Sequence, residues 1–260
     1  MTILDEISAY TKERVAVKKA NLPPTELKKM ANDLPKGNFP FERSLRKNSL
    51  SFICECKKAS PSKGIIADDF PYLKIASEYE EAGADALSVL TEPKWFLGKD
   101  AYLKEISGIT TIPVLRKDFT VDEYMIYEAK CLGASAVLLI CSILSPEQIR
   151  TYLGICRELG ISALVETHSE EEIGTALACD AGIIGVNNRN LKDFSVDTNI
   201  STRLRRLIPE TVLFVSESGV KDAEDVKRVK EAGANAVLIG ETLMRAKNKK
   251  EKLKELKSLI

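Results

Sequence analysis

The sequence predicts an α/β protein of the (β/α)8 TIM barrel class with an N-terminal helical extension. Two observations lead to this fold class: a unit in which a helix ends at a glycine and a short apolar strand follows recurs along the chain, and polar residues interrupt the apolar strands at their ends. The length of 260 residues suits one barrel, which typically takes about 250 residues. We therefore expect residues 1–260 to form a single barrel domain.

Glycines mark the recurring unit, which appears for example as EAGADALSVL, CLGASAVLLI and EAGANAVLIG. Six of them follow one another at intervals of 25, 25, 27, 22 and 51 residues, the last interval leaving room for two units: Gly83, Gly108, Gly133, Gly160, Gly182 and Gly233. A glycine can end a helix in the left-handed conformation without steric cost, and the next strand can begin directly. We interpret each interval as one βα unit.

This frame predicts eight strands with helical patterns between them. The strands are expected near residues 51–57, 86–91, 113–117, 136–141, 162–166, 183–187, 211–217 and 236–240. An open, doubly wound sheet shows the same alternation and is the structural alternative, but eight units of similar length favour a closed barrel. Ser145 followed by Pro146 predicts a helix start, because serine caps helices well and proline suits the first helical position.

Residues 1–48 precede the first strand and are expected to form one or two helices plus a proline-rich connector. The first residues mix acidic, basic and apolar side chains and lack the pattern of an export signal. No apolar run reaches the roughly 18 residues that a membrane span needs. We expect a cytoplasmic protein without a membrane partner, present as a monomer or a weak homodimer.

The charge and cysteine content exclude two further classes. The 38 basic and 38 acidic residues balance, so we expect no nucleic-acid partner. The six cysteines form no C-x-x-C pair, and the chain has one histidine, so no metal site is expected. We interpret the cysteines as reduced and mostly buried.

The strand ends carry the candidate catalytic groups. In a barrel of this class, the C-terminal strand ends and the loops after them form one mouth, where catalytic residues lie. The first strand ends with Glu55 and Lys57, which share a face because they are two positions apart. Four other strands also end in polar or ionisable groups: Arg116-Lys117-Asp118, Glu166, Asn187-Asn188-Arg189 and Ser216-Glu217-Ser218.

Any single charged strand end is as compatible with ordinary solvation as with catalysis. Three carboxylates, two lysines and an amide at one mouth would be costly to bury without a function, and their proximity would shift their pKa values. The sequence therefore predicts a multi-step acid–base site.

The loops after strands 7 and 8 predict a phosphate site at Ser218-Gly219 and Gly240-Glu241. Glycine lets backbone N–H groups approach an anion, and a short helix starting at either loop would direct its positive end toward it. Each glycine alone fits ordinary turn geometry. Ser60 and Lys63 in the loop after strand 1 could add partners, so we expect a small phosphorylated substrate.

Aromatic residues near the mouth suggest an apolar part of the ligand, although local packing would explain them equally well. They are Trp95, Phe96 and Phe119. His168, the sole histidine, is interpreted as part of the start of the following helix and not of the chemistry.

Eight segments together resemble the indole-3-glycerol phosphate synthase family over the full length of the chain. They are ICECKKASPSKG, LSVLTEPKWFLG, PVLRKDF, AVLLICSILS, ALVETHSEEE, IGVNNRNL, VSESGV and VLIGETLM. The resemblance implies ring closure, decarboxylation and dehydration of 1-(2-carboxyphenylamino)-1-deoxyribulose 5-phosphate in tryptophan biosynthesis, without a cofactor.

The resemblance also implies roles. Lys117 would be the general acid of ring closure, Glu166 would hold or reprotonate it, and Glu55 and Lys57 would serve dehydration. Further catalytic positions are Asn187 and Glu217, and substrate contacts are Arg189, Ser218, Phe96, Phe119, Pro61 and Leu191. The phosphate would be bound by Ser60, Gly219, Gly240 and Glu241. Because a carboxylate repels phosphate, we expect only the backbone of Glu241 to contribute, with its side chain turned away.

Two alternatives are kept. One is another phosphate-binding barrel enzyme such as phosphoribosylanthranilate isomerase, whose Cys and Asp acid–base pair contrasts with the Glu-Cys-Lys ending of strand 1. The other is a non-catalytic barrel that serves as a scaffold, which would be expected to have lost its charged mouth residues.

Overall fold

A closed barrel of eight parallel strands forms the centre of the molecule, in a computed structural model that describes residues 2–190 and 194–260. Each strand pairs with its neighbours in sequence, and the last pairs with the first. The strands are β1 Ser51–Cys56, β2 Ala86–Leu90, β3 Val114–Lys117, β4 Ala136–Ile140, β5 Ser162–Thr167, β6 Ile183–Asn187, β7 Leu213–Glu217 and β8 Ala236–Ile239. The predicted barrel class is confirmed, and the open-sheet alternative is wrong.

Helices surround the barrel as the alternating pattern predicts. The N-terminal segment forms α1 Ile3–Asn21, α2 Pro24–Asp33 and α3 Pro40–Leu45. The helices around the barrel are α4 Tyr72–Glu81, α5 Asp100–Ile109, α6 Tyr124–Cys131, α7 Pro146–Leu159, α8 Glu170–Ala178, α9 Asn199–Leu204, α10 Ala223–Glu231, α11 Glu241–Arg245 and α12 Lys249–Leu256. At the start of α7, the Ser145 hydroxyl accepts a hydrogen bond from Gln148 N. The predicted cap is therefore present.

Alternation along β1 sorts its side chains between two cores. Ile53 belongs to the apolar cluster inside the barrel, whereas Cys54 and Cys56 pack outward among the helices. Glu55 shares the inward face with Ile53, which brings a charged group to the mouth. All six cysteines are free, and five of them are buried.

The N-terminal segment reaches both ends of the barrel. Ile7 of α1 belongs to the interior cluster at the mouth, and Phe41 and Leu45 of α3 belong to it as well. The backbone N of Glu42 donates to Ser162 Oγ at 3.2 Å, at the start of β5. Thus α3 closes the N-terminal end of the barrel. The sequence analysis interprets the residues of α3 as part of a proline-rich connector, which is wrong. A six-residue helix is too short for its periodicity to show in the sequence.

A second short element also escaped the sequence pattern. Ala59–Ser60 pairs with Gly64–Ile65 as an antiparallel hairpin directly after β1. Each of its strands has only two residues, so alternation could not reveal it. The turn of this hairpin carries Pro61 and Lys63 to the mouth.

The glycine rule holds at four of the six marker positions. Gly83, Gly133, Gly160 and Gly233 have positive φ, as the helix-ending interpretation requires. It was wrong for Gly108, which lies within α5, and for Gly182, where Asp180 with φ of 60° takes the left-handed position instead. Asparagine and aspartate tolerate this conformation better than other side chains.

Replacing Gly160 by alanine is expected to lower the free energy of unfolding by at least about 2 kcal/mol. Its φ is +69°, and an added Cβ would lie 2.0 Å from the carbonyl oxygen of Gly37. The left-handed conformation alone costs a non-glycine residue roughly 1–2 kcal/mol. Gly154→Ala is the control, because nothing lies within 4 Å of its added Cβ in α7, and it should stabilise by about 0.5–1 kcal/mol. Urea denaturation of both variants checks this; a Gly160→Ala protein as stable as wild type would contradict the backbone contact.

No helix in the part of the chain that the structure describes is long and apolar enough to cross a membrane.

Candidate active site

A cavity of about 670 Å³ opens at the mouth of the barrel, at the C-terminal strand ends. Fifteen of the sixteen site residues predicted from the sequence line it: Glu55, Lys57, Ser60, Pro61, Phe96, Lys117, Phe119, Glu166, Asn187, Arg189, Glu217, Ser218, Gly219, Gly240 and Glu241. The sixteenth, Leu191, lies outside the described residues. A volume of this size suits a substrate with one aromatic ring and a phosphorylated chain.

The Lys117 ammonium lies at the centre of the charged floor. Its Nζ is 3.4 Å from Glu166 Oε2, and 3.4 Å from Glu217 Oε2. Burial lowers the pKa of Lys117, but the carboxylates of Glu217, Glu166 and Glu55 outweigh burial and raise it above its usual value. The lysine is therefore held protonated and has a proton to donate.

Glu217 is the carboxylate of this floor that holds a proton most readily. Burial and the charges of Glu166 and Glu55 raise the pKa of Glu217 to about 8, against the opposing effect of Lys117. Within residues 2–190 and 194–260, neither of its carboxylate oxygens accepts a hydrogen bond. It packs against Gly185, where an added Cβ would lie 2.2 Å from Glu217 Oε1. Only glycine leaves room for the carboxyl group there.

Glu55 and Lys57 form an ion pair with Oε1 and Nζ 2.5 Å apart. Burial opposes ionisation of Glu55, yet Lys57 and Lys117 lower the pKa of Glu55 below its usual range. An added Cβ at Gly240 would lie 2.3 Å from Glu55 Oε1 and 2.9 Å from Lys57 Nζ. The close approach of β8 thus requires glycine beside the pair.

Asn187 connects the charged floor to Arg189. Its Nδ2 donates to Glu166 Oε1 at 3.2 Å, and its Oδ1 accepts from the backbone N of Arg189 at 3.0 Å. Burial opposes ionisation of Glu166, but Lys117, His168 and the Asn187 hydrogen bond lower the pKa of Glu166. The guanidinium of Arg189 donates to the carbonyl of Phe194 at 3.2 Å and borders the cavity.

The other side of the cavity is built from backbone. Ser218 and Gly219 both have positive φ, of 67° and 95°. A non-glycine residue rarely adopts this conformation, and functional sites are where such strain is found. After β8, α11 begins at Glu241, and its first turn lines the cavity together with Gly240.

A family model described as "Indole-3-glycerol phosphate synthase" matches residues 4–256 of the chain. The chain belongs to the indole-3-glycerol phosphate synthase family. This family assignment makes the protein a carboxy-lyase of tryptophan biosynthesis, as the eight sequence segments indicated. The isomerase and scaffold alternatives are therefore wrong.

Relatives of the same description cover nearly the whole chain. The indole-3-glycerol phosphate synthase of Lachnoclostridium phytofermentans is 52% identical over 270 residues, covering 99% of this chain and 100% of the relative. That of Ruminiclostridium cellulolyticum is 52% identical over 245 residues, covering 94% of each. The solved structure of thiamine phosphate pyrophosphorylase from Pyrococcus furiosus shares the fold alone, with a TM-score of 0.62, 14% identity, and coverage of 84% of this chain and 96% of that chain.

An apolar wall completes the mouth of this member of the synthase family. The rings of Phe96 and Phe119 lie 6.0 Å apart between centroids, and Ile3 and Ile7 of α1 face the same cavity. Trp95 is not part of the wall; it packs edge-on against Tyr10, with centroids 5.5 Å apart. Of the three aromatic candidates, two border the cavity.

The side chain of Glu241 lies close to three cationic side chains at the edge of the cavity. One carboxylate oxygen lies 3.1 Å from Arg245 Nε and 3.7 Å from Lys63 Nζ, and the other lies 3.9 Å from Arg189 Nη2. These three cations offset the charge of Glu241. Sequence spacing could predict only the contact with Arg245, which lies four residues after Glu241 on the same helix. Positive charge therefore exceeds negative charge around Glu241 at this edge of the cavity.

Two features near the synthase site were missed by the sequence analysis. Arg116, which the sequence places among the strand-end residues, is 2% exposed and points away from the cavity to Asp100 and Glu128. Neighbouring residues of a strand face opposite sides, so the inward position of Lys117 already implies an outward Arg116. His168 Nε2 lies 3.5 Å from Glu166 Oε1. Its position two residues after Glu166 was the only available signal.

Proposed function

We propose that the protein converts 1-(2-carboxyphenylamino)-1-deoxyribulose 5-phosphate to indole-3-glycerol phosphate, with Lys117 as the general acid of ring closure. The observation that carries this assignment is the Lys117 ammonium, held 3.4 Å from two buried carboxylates at the floor of the cavity. When the aromatic carbon attacks the ketone, negative charge develops on the ketone oxygen. A fixed ammonium can neutralise it by donating a proton, which typically accelerates such steps by about 10²- to 10⁴-fold.

Decarboxylation follows at the ring carbon that has formed the new bond. The bond to the carboxyl carbon breaks, its electron pair returns to the ring system, and CO2 leaves. Arg189 would hold the carboxylate beforehand, while Phe96 and Phe119 would pack on the aromatic ring. An apolar wall favours this step, because neutral CO2 replaces a charged carboxylate.

Dehydration is assigned to the Glu55–Lys57 pair. Lys57 would donate a proton to the departing hydroxyl, and Glu55 would accept a proton from the adjacent ring carbon. The 2.5 Å separation of the pair lets the proton return from Glu55 to Lys57 afterward. This pair therefore ends each cycle in its starting protonation state.

The remaining residues are assigned to binding. Backbone N–H groups at Gly219, Gly240 and Glu241, with the hydroxyl of Ser60, would hold the phosphate. Asn187 would orient the substrate hydroxyls, and Glu217 with Ser218 would complete the polar wall. Pro61 and Leu191 would contact the substrate, as the family resemblance implies.

Further assignments concern the whole chain. We propose that residues 1–260 act as one domain in the cytoplasm, as a monomer or weak homodimer, without a cofactor, a metal ion or a nucleic-acid partner.

Purified protein given the substrate is expected to release a product with indole absorbance and fluorescence, with equal activity after dialysis against EDTA. Every group that the proposed mechanism uses is a side chain or backbone amide of this chain. Product identity is checked by mass spectrometry, with phosphoribosylanthranilate as the control substrate. The absence of an indole product would refute the proposed function.

A further inference from the structure

His168 lies behind Glu166, outside the cavity. Its Nδ1 is 3.3 Å from Glu172 Oε2, and its Nε2 is 3.5 Å from Glu166 Oε1. Within the described residues Nε2 is buried and has no hydrogen-bond partner. Because each ring nitrogen faces a carboxylate, the geometry matches an imidazolium, which carries a proton on both nitrogens.

The proposed reaction creates a need for a proton at this place. The substrate loses a carboxylate as neutral CO2, so each turnover takes up one proton from solvent. The Glu55–Lys57 pair returns to its starting state, as described above. Lys117 gives its proton to the ketone oxygen and is left as a neutral amine, so the net proton has to reach Lys117.

We propose that His168 is a positioning residue that relays this proton from solvent through Glu166 to Lys117. The relay rests on the function proposed above. The Nε2–H bond breaks as the proton moves to Glu166 Oε1, leaving a neutral imidazole and a neutral carboxyl group. Half a turn of the carboxyl exchanges its two oxygens and brings the proton to Lys117 Nζ, which becomes an ammonium and restores the carboxylate. The imidazole then takes a proton from water.

Exposure distinguishes His168 from the other proton source beside Lys117. The His168 side chain is 19% exposed, whereas that of Glu217 is 2% exposed. Glu217 can hold a proton, but among the described residues neither of its carboxylate oxygens accepts a hydrogen bond. His168 therefore combines a partly exposed side chain with contact with Glu166.

The groups facing His168 favour the charged ring. Burial lowers the pKa of His168, but the hydrogen bond with Glu172 and the charges of Glu166 and Glu172 raise it above its usual value. From the segment after β4, Cys141 contributes no charge, because burial raises the pKa of its thiol to about 12. The relay is therefore charged below the pKa of His168 and is lost as the pH rises through that pKa.

Nuclear magnetic resonance gives a direct test, because the chain has one histidine. In protein labelled with ¹³C-histidine, the titration midpoint is expected above about 6.5, the usual histidine pKa. Glu166→Gln and Glu172→Gln should each lower it, because each removes a facing negative charge. A midpoint unchanged by Glu166→Gln would overturn the proposal.

The kinetic test uses His168→Gln, which keeps a polar side chain but cannot be protonated. We expect kcat to fall at least about fivefold with KM within twofold, and the alkaline decline of kcat at the His168 midpoint to disappear. Ser169→Ala is the control: it removes the cap of α8, in which Ser169 Oγ accepts from Glu172 N at 3.2 Å. It should lower the melting temperature and leave the pH profile unchanged.

The outcomes separate the relay from the function. If the wild type forms no indole product, the proposed function fails and the relay fails with it. If the wild type is active, Lys117→Ala is inactive, and His168→Gln keeps the wild-type kcat and alkaline decline, only the relay is refuted.

Discussion

Replacing Lys117 by alanine is expected to lower kcat by about 10²- to 10⁴-fold, which is the usual contribution of a general acid. The cavity offers no substitute at that position, because Lys57 is held by Glu55 at 2.5 Å. Substrate affinity should stay within about tenfold, because the phosphate and aromatic groups are assigned to other walls of the cavity. Indole fluorescence measures turnover, and equilibrium titration with the product measures binding.

Lys74→Ala is the matched control for this experiment. Lys74 undergoes the same chemical change but is 74% exposed on α4, 3.9 Å from Glu78, and should leave kcat and affinity unchanged. If Lys117→Ala keeps more than a tenth of the wild-type kcat, Lys117 is not the acid of ring closure. A loss of binding beyond 100-fold would instead assign Lys117 to substrate positioning. Circular dichroism excludes misfolding of either variant.

The barrel could be predicted from the sequence because each βα unit repeats one local pattern. Short apolar runs give the strands, which have four to six residues, and polar strand ends give the mouth. The predicted strand limits therefore agree with the structure within about two residues. The α3 helix and the hairpin after β1 are too short for periodicity to show. Their positions depend on contacts with the barrel, which a local pattern does not contain.

The same limit applies to the candidate site. The sequence could predict the placement of Glu55, Lys117 and Glu166. Alternation along each strand gives the inward-facing residues, and those at the C-terminal strand ends meet in one cavity. The surroundings of Glu241 could not be predicted, since Lys63 and Arg189 reach it from the loops after β1 and β6. The relation between His168 and Glu166 depends on a side-chain orientation that spacing alone does not determine.

Asp118, the residue after Lys117, shows how the N-terminal segment supports the site. Its carboxylate accepts from Arg14 Nη2 at 2.7 Å, from Thr91 Oγ1 at 2.6 Å and from the backbone N of Phe119 at 2.8 Å. Asp118 is 1% exposed. One buried carboxylate therefore joins α1, the loop after β2 and the segment that carries both the proposed acid and an aromatic wall residue.

Asp118→Ala is expected to lower the free energy of unfolding by about 3–5 kcal/mol, because it leaves the partly buried Arg14 without its ion-pair partner. Arg14 loses its ion pair, while Arg116 keeps Asp100 and Glu128. Glu78→Ala removes an exposed ion pair with Lys74 and should change stability by less than about 0.5 kcal/mol. A similar small change in Asp118→Ala, measured by urea denaturation at pH 7, would contradict the structural role.

The stability difference between wild type and Asp118→Ala should also depend on pH. Burial opposes ionisation, but Arg14, Arg116 and the hydrogen bonds to the carboxylate lower the pKa of Asp118 below its usual range. The folded state therefore binds this proton more weakly than the unfolded chain, whose aspartates titrate near about 3.9. The contribution is complete above that pH and is lost as the pH falls through the folded pKa. Denaturation curves should consequently differ by a constant amount from pH 5 to pH 8 and converge on acidification, whereas a constant difference down to pH 3 would mean that the charge of Asp118 does not stabilise the fold.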